Sequence, residues 1–393
     1  MNKLKSICMA IFCLLAVTAS AQKSMSEVIE EGLSLSRTQA LIMASELAPQ
    51  EGRFPRSFEK GKMITSDYRW WCSGFFPGVL WQLYADKPTD QLRRYAELFT
   101  DRCEPVKTVL TKSNLPVSDY SVNPYVGCTH ACKYCYASFM KRFTGHTEPW
   151  GEFLDIKQWP EIKNPGKLRG KELFFGSVTD PYLPEEEMYR RTRTLLEQLQ
   201  GSGIKLSIAT KSDLVLRDLD LIKTFPGARV SWSVNTLDES FKDDMDKAVS
   251  IERRLAAMKA FHDAGIRTTC FISPIFPGIT DVKAIIDRAK DQCNLIWLEN
   301  LNLRGTFKPM IMEYIRENKP ELTPLYEEIY VKGKRDYWEK LNVELKAYAE
   351  GLGLPYVRDD DSFKRPFDAP PIVVNYFYHE EVKKSAKDNN LDR

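Results

Sequence analysis

Hydrophobic positions change their rhythm twice along the chain. Ile7 to Val17 is an unbroken apolar run, with Lys3 and Lys5 before it and Thr18-Ala19-Ser20-Ala21 after it. About eleven apolar residues are too few to cross a bilayer. The basic flank and small-residue exit predict a removable export signal over residues 1–21. From Met25 to about residue 102 the pattern is helical. Val28, Leu33, Leu35, Leu41 and Met43 mark a first helix over Met25–Leu47. A loop with Pro49, Gly52 and Pro55 follows, and a second helix over Thr89–Thr100 starts at a Thr89/Asp90 cap. Two such helices around a Gly/Pro corner form one helical hairpin, which cannot bury its own apolar face.

Past Cys103 the rhythm shortens. Strand-like runs recur at 173–178, 205–210, 229–235, 268–275 and 295–301, and helical stretches at 185–200, 214–224, 251–264 and 282–292 separate them. In the third helix Ile251, Leu255, Met258 and Phe261 share one face, and Gly265 stops it. Strand–helix alternation predicts a parallel sheet with right-handed crossovers. A strand just before Cys128 brings the count to six β/α units. Residues 325–351 read as charged amphipathic helix, and Val382–Arg393 as a polar tail. The expected division is an export-signal segment at 1–21, an α-hairpin fragment at 22–102, an α/β partial barrel at 103–310 and a helical extension at 311–393.

Composition alters this little. With 43% hydrophobic and 28% charged residues the chain is neither disordered nor fibrous. Its 56 basic and 54 acidic side chains leave no general excess for binding polyanions. Cysteine is what changes the picture. There are nine, an odd number, and three of them crowd into Cys128-x3-Cys132-x2-Cys135. Thiolates are soft ligands suited to iron–sulfur clusters or zinc. Three can hold three irons of a cubane and leave the fourth open. A zinc site would want a fourth ligand, which His130 inside the loop could supply.

Polar residues gather where the predicted strands end, and in barrels chemistry collects there. The runs are Gly176-Ser177-Val178-Thr179-Asp180-Pro181-Tyr182, Ala209-Thr210-Lys211-Ser212, Ser231-Trp232-Ser233-Val234-Asn235 and Ser273-Pro274-Ile275-Phe276-Pro277-Gly278. Ser177, Asp180, Lys211, Ser233 and Asn235 supply the hydroxyl, carboxylate, ammonium and amide groups that a zwitterion and a ribose need. Turn and capping chemistry alone would also favour these residue types.

The loop Asn123-Pro124-Tyr125-Val126-Gly127-Cys128 through Tyr136, together with these strand ends, resembles the spore photoproduct lyase-like branch of the radical S-adenosylmethionine (radical SAM) enzymes over residues 104–380. Within that branch it looks closest to proteins encoded as adjacent pairs on mobile elements. The resemblance implies a partial (β/α)6 barrel and a [4Fe–4S] cluster on Cys128, Cys132 and Cys135. It also implies S-adenosylmethionine (SAM) on the open iron, cleaved reductively to a 5′-deoxyadenosyl radical. By the same resemblance Tyr134 lies against the adenine, Ser177 and Asp180 face the methionine amino group, and Gly176 belongs to the cofactor-binding set. Lys211, Ser233, Asn235 and Arg254 serve the carboxylate and ribose. Implied partners are a flavodoxin- or ferredoxin-like electron donor, a second radical SAM protein encoded nearby and a possible nucleic-acid substrate. No cysteine lies between Cys135 and Cys270, so the hydrogen-returning cysteine of the lyase is missing.

The string Trp71-Cys72-Ser73-Gly74-Phe75-Phe76-Pro77-Gly78 resembles the unsaturated glucuronyl hydrolases of glycoside hydrolase family 88, over residues 25–102. Their α/α toroid needs six hairpins, and the catalytic aspartates lie beyond this segment. An export signal conflicts with a cluster that needs reducing surroundings. The first 102 residues are therefore read as a hydrolase fragment fused to a cytoplasmic enzyme. The competing readings are an exported hydrolase and a zinc-stabilised nucleic-acid-binding module.

Overall fold

The computed structural model describes residues 23–50, 52–66, 75–100, 103–115, 118–303, 305 and 307–377. The expected export signal and the Trp71–Gly74 half of the hydrolase-like string lie outside them. The chain divides into two compact units, Met1–Asp101 and Arg102–Arg393. No helix among the described residues is long and apolar enough to cross a membrane.

Among its described residues the first unit has three helices, Met25–Leu47, Phe75–Asp86 and Asp90–Thr100, where two were expected. Ser24 and Glu27 close a reciprocal capping box at the first. The stretch expected to be loop holds an antiparallel hairpin, Phe54–Glu59 with Lys62–Ser66. It turns at Lys60-Gly61, both at positive φ, the geometry that suits a two-residue hairpin turn. Ala40, Ala44, Phe76, Leu80, Leu83, Leu92 and Ala96 form the core. Met25, Val28, Ile29, Leu35 and Ile42 of the first helix remain exposed, so the unit's own core covers one face of that helix.

The second unit is built on a sheet of parallel strands. In chain order these are β1 Tyr120–Val122, β2 Glu172–Phe175, β3 Lys205–Thr210, β4 Arg229–Ser233, β5 Arg267–Ile275, β6 Leu295–Asn300, β7 Tyr356–Val357 and β8 Ile372–Asn375. Strands β1 to β6 lie side by side in sequence order, as expected for six β/α units. Beyond the expectation, β8 pairs with β6 and β7 with β8, so residues 311–393 contribute strands as well as helices. Leu110–Lys112 closes the other edge, antiparallel to β1.

Alternation along each strand sorts the side chains. Leu173, Phe175, Leu206, Ile208, Val230, Trp232, Cys270, Ile272, Ile296 and Leu298 are buried in a core shared with Leu255, Met258, Phe261, Ile285 and Ile286 of the covering helices. The alternate set, including Phe174, Ala209, Ser231, Ser233, Phe271, Ser273, Trp297 and Glu299, is only partly buried. Period-2 geometry puts this set on the opposite face of the sheet.

Candidate active site

Tyr125–Val126 pairs antiparallel with Asp155–Gln158, so everything from Gly127 to Leu154 is one excursion between two paired strands. It holds all three cysteines of the motif. Gly127 opens it at φ +94°, where an added Cβ would meet the Phe153 carbonyl oxygen at 2.2 Å. Only glycine fits there. The loop is pinned from the barrel: the Lys133 amide donates to the Met245 carbonyl and the Lys247 amide to the His130 carbonyl.

Cys128, Cys132 and Cys135 are free thiols. Burial pushes all three upward, Cys132 to about 12, and the charges of Cys132 and Cys135 add to the rise at Cys128. The backbone amides of Asp180 and Ala137 oppose the rise at Cys128 and Cys135 respectively. The Trp150 indole N–H is buried without a hydrogen-bond partner, and it opposes the rise at Cys135. Such a pocket suits sulfur that carries negative charge, and a bound cationic centre would supply the ionised form. Among the described residues no group of three or more His, Cys, Asp or Glu could hold a single metal ion. A cluster asks for something else: each iron takes one thiolate, so the sulfurs ring a space without converging on a point. The donor set fits an iron–sulfur cluster.

His130 pairs with Asp180. Its Nε2 is 3.0 Å from Asp180 Oδ2. Asp180, expected to meet the methionine ammonium, also has several partners within the protein. Its carboxylate also accepts from the Tyr182 amide at 2.9 Å, the Thr210 hydroxyl at 2.7 Å and the Lys211 amide at 2.7 Å. Burial opposes its charge, but His130 and these amides outweigh burial and hold the carboxyl below its usual range. Asp180 ties the ends of β2 and β3 to the cysteine loop.

Arg254, expected at the carboxylate or ribose, is fully buried. It binds Asp246 at 2.7 Å and donates to the carbonyls of Val249 at 2.9 Å and Ser233 at 3.2 Å. Asp246 in turn accepts from the Tyr134 hydroxyl at 2.9 Å. The Tyr134 ring meets Phe276 edge-on at 5.5 Å, and the Lys211 ammonium sits 5.7 Å from its centroid. Cys132 feels the charges of Lys211, Asp246 and Arg254. One contact network thus joins the three cysteines to Tyr134, Asp180, Lys211 and Arg254.

Gly176 stands at φ +99°, its missing Cβ 2.3 Å from the Ala209 carbonyl oxygen. Beyond it Ser177 accepts from Asn123 Nδ2 at 2.9 Å, while Asn123 Oδ1 accepts from the amides of Val178 and Thr179. Asn123 therefore shapes the turn after β2. The Asn-Pro of the motif signalled it, but only as part of a string. Asp246 and Tyr136 were also missed; the Tyr136 hydroxyl donates to the Ser177 carbonyl. The side chain of Asn235 is 1% exposed, yet neither its Oδ1 nor its Nδ2 has a partner. The Thr179 hydroxyl is equally buried and unpartnered. Buried polar atoms are rarely left so. A polar ligand at the strand ends would satisfy them, which is the fit expected of a bound amino acid and ribose.

Residues 122–289 match the family model of the radical SAM superfamily. An uncharacterized protein of Methanocaldococcus jannaschii is 36% identical over 217 residues, spanning 55% of this chain and 82% of that protein. A radical SAM Nalpha-GlyT isomerase of Pseudomonas phage M6 is 23% identical over 250 residues, covering 59% of this chain and 52% of the isomerase. Among solved structures, spore photoproduct lyase complexed with dinucleoside spore photoproduct superposes with a TM-score of 0.40 at 15% identity, over 54% of this chain and 64% of the lyase.

Proposed function

The chain belongs to the radical SAM superfamily and is an enzyme, and on that premise we propose that Cys128, Cys132 and Cys135 hold a [4Fe–4S] cluster whose open iron takes SAM. Bound there, the cluster would supply the electron that cleaves SAM to methionine and a 5′-deoxyadenosyl radical, which abstracts hydrogen from a substrate. The observation that carries the reading is the excursion between Tyr125–Val126 and Asp155–Gln158. It brings the three thiols of the motif next to the polar ends of β2 and β3.

The chain's own residues divide the remaining work. Asn235 and Thr179 offer unpaired polar atoms to the amino-acid and ribose groups. Lys211, through its ammonium, suits the methionine carboxylate. Asp180, Asp246 and Arg254 act by orientation, holding the turn after β3 and the ring of Tyr134. Charged groups locked by several hydrogen bonds keep their geometry during a reaction at little reorganisation cost.

Membership of the spore photoproduct lyase-like branch, a flavodoxin- or ferredoxin-like donor, a second radical SAM partner and a cytoplasmic setting belong to the same proposal. So does the origin of residues 25–102 as a glucuronyl hydrolase fragment. The half-covered first helix supports it, as expected of one hairpin removed from a toroid.

The test is anaerobic reconstitution of the full chain. It should bind about four irons and four sulfides and form 5′-deoxyadenosine from SAM under a strong reductant. Replacing Cys128, Cys132 and Cys135 together by Ala should abolish both. One zinc with no sulfide, or undiminished SAM cleavage by the triple variant, would overturn the proposal.

A further inference from the structure

Cys128 is held on both sides by one short segment, Leu183 to Glu186, beyond the end of β2. Leu183 packs in a single apolar cluster with Tyr125, Cys128 and Ile156. Ahead of Cys128, the fully buried Tyr125 donates its hydroxyl to Glu186. Directly after Cys128, the Thr129 hydroxyl donates to Glu185 Oε2 at 2.8 Å. Two adjacent carboxylates therefore straddle the first cysteine of the motif.

The two differ in their surroundings. Glu186 is inaccessible to water and also accepts from the Thr192 amide at 3.0 Å, the Arg193 amide at 3.2 Å and the Arg217 guanidinium at 2.7 Å. Arg217 is itself fixed by two bonds of 2.8 Å to Asp218, which takes another from Arg193 at 2.7 Å. Glu186 and Asp218 thus face Arg217 and Arg193, and their charges cancel locally. Glu185 is partly buried, and among the described residues its carboxylate bonds the Thr129 hydroxyl and pairs with no cation. Other acids around the loop are matched, Asp180 with His130 and Asp246 with Arg254.

We propose that the Glu185–Glu186 pair tunes the cluster: Glu186 fixes where the Cys128 thiolate stands, and Glu185 adds an uncompensated negative charge beside it that keeps the cluster a strong reductant. This rests on the radical SAM reading, which requires an electron energetic enough to cleave SAM. Cluster potentials follow the net charge and hydrogen bonding around the sulfurs. An anion that no cation offsets disfavours the added electron, and partial burial weakens the screening of that repulsion. A latch for Thr129 alone needs no charge, since a neutral amide oxygen would accept from the hydroxyl as well.

Redox titration of the reconstituted full chain with dithionite, read by electron paramagnetic resonance, tests this. The measured couple is one electron from dithionite to the cluster, with no atom transferred. Glu185→Gln keeps an oxygen for Thr129 and removes the charge. At a poise near the wild-type midpoint its reduced-to-oxidised ratio should rise about 5-fold or more. Its iron content, Tm and SAM affinity should hold, while single-turnover formation of 5′-deoxyadenosine slows. Glu185→Asp, which keeps the charge, should stay with wild type. Tyr125→Phe frees the strand before Cys128 from Glu186 and leaves that carboxylate its other partners. It should alter the resonance of the reduced cluster and speed alkylation of Cys128 in the iron-free chain several-fold. An unmoved ratio in Glu185→Gln, or an equal rise in Glu185→Asp, would overturn the charge role. A wild-type resonance and alkylation rate in Tyr125→Phe would overturn the positioning role. Wild-type chain that takes up no iron would instead defeat the parent reading, and this one with it.

Discussion

Asp246→Asn removes the anion from the most deeply buried ion pair of the barrel. Arg254 and Asp246 are both inaccessible to water and 2.7 Å apart. The variant leaves a guanidinium in the interior with carbonyls of Val249 and Ser233 as its remaining partners. Breaking a buried pair from one side costs about 3–5 kcal/mol, mostly the penalty of the stranded charge. For a unit of this size each kcal/mol lowers Tm by about 2 °C, so anaerobic calorimetry should show a fall of roughly 6–10 °C. Replacing both partners, as Arg254→Met with Asp246→Leu, should recover much of the loss, because no charge is stranded. The acid limb gives a second reading. Burial opposes ionisation of Asp246, but Arg254, Lys211 and the Tyr134 hydroxyl hold its carboxyl below the usual range. Its contribution is then complete above an unfolded value of about 4 and is lost as pH falls through the lower folded value. Wild type and Asp246→Asn should converge only in that acid window. A fall under about 2 °C at neutral pH would refute the view that this pair supports the loop under Tyr134.

Gly176→Ala would place a methyl group 2.3 Å from the Ala209 carbonyl oxygen at a backbone angle that favours glycine. Strain and overpacking together predict about 2–5 kcal/mol of lost stability, read by the same calorimetry, with reduced SAM binding because the turn before Asp180 must move. Asn235→Ala should separate stability from function. Its amide is buried without partners, so Tm should hold or rise, while equilibrium binding should show SAM held about 5- to 10-fold more weakly. A lower Tm with unchanged affinity would make Asn235 a packing residue.

Much of the barrel was legible because strand and helix rhythms differ, and because each buried strand row is made of branched or aromatic residues. The predicted face of Ile251, Leu255, Met258 and Phe261 is the one that meets the sheet. What escaped were elements too short for periodicity. Strands β7 and β8 have two and four residues, and the hairpin near residue 60 opens with Phe54-Pro55, which reads as loop. At the site, the cysteines declared themselves through spacing alone. Asp180 was noticed for its charge and Arg254 only through the family resemblance, and neither says which group receives the charge. Their partners, His130 and Asp246, lie 50 and 8 residues away and are set by the fold.

Strand β8 has a consequence for how the molecule is made. It pairs with β6 across 77 residues of chain, Leu295 with Ile372. A ribosome adding about 5–20 residues per second needs roughly 4–15 s to travel that distance. Throughout that interval β6 has its β5 side satisfied and its other side bare, an unpaired edge in a nascent protein. The cysteine loop is translated long before, so cluster delivery and closure of the sheet are separate events in time. An assembly factor would meet the thiols while strand β8 is still unmade.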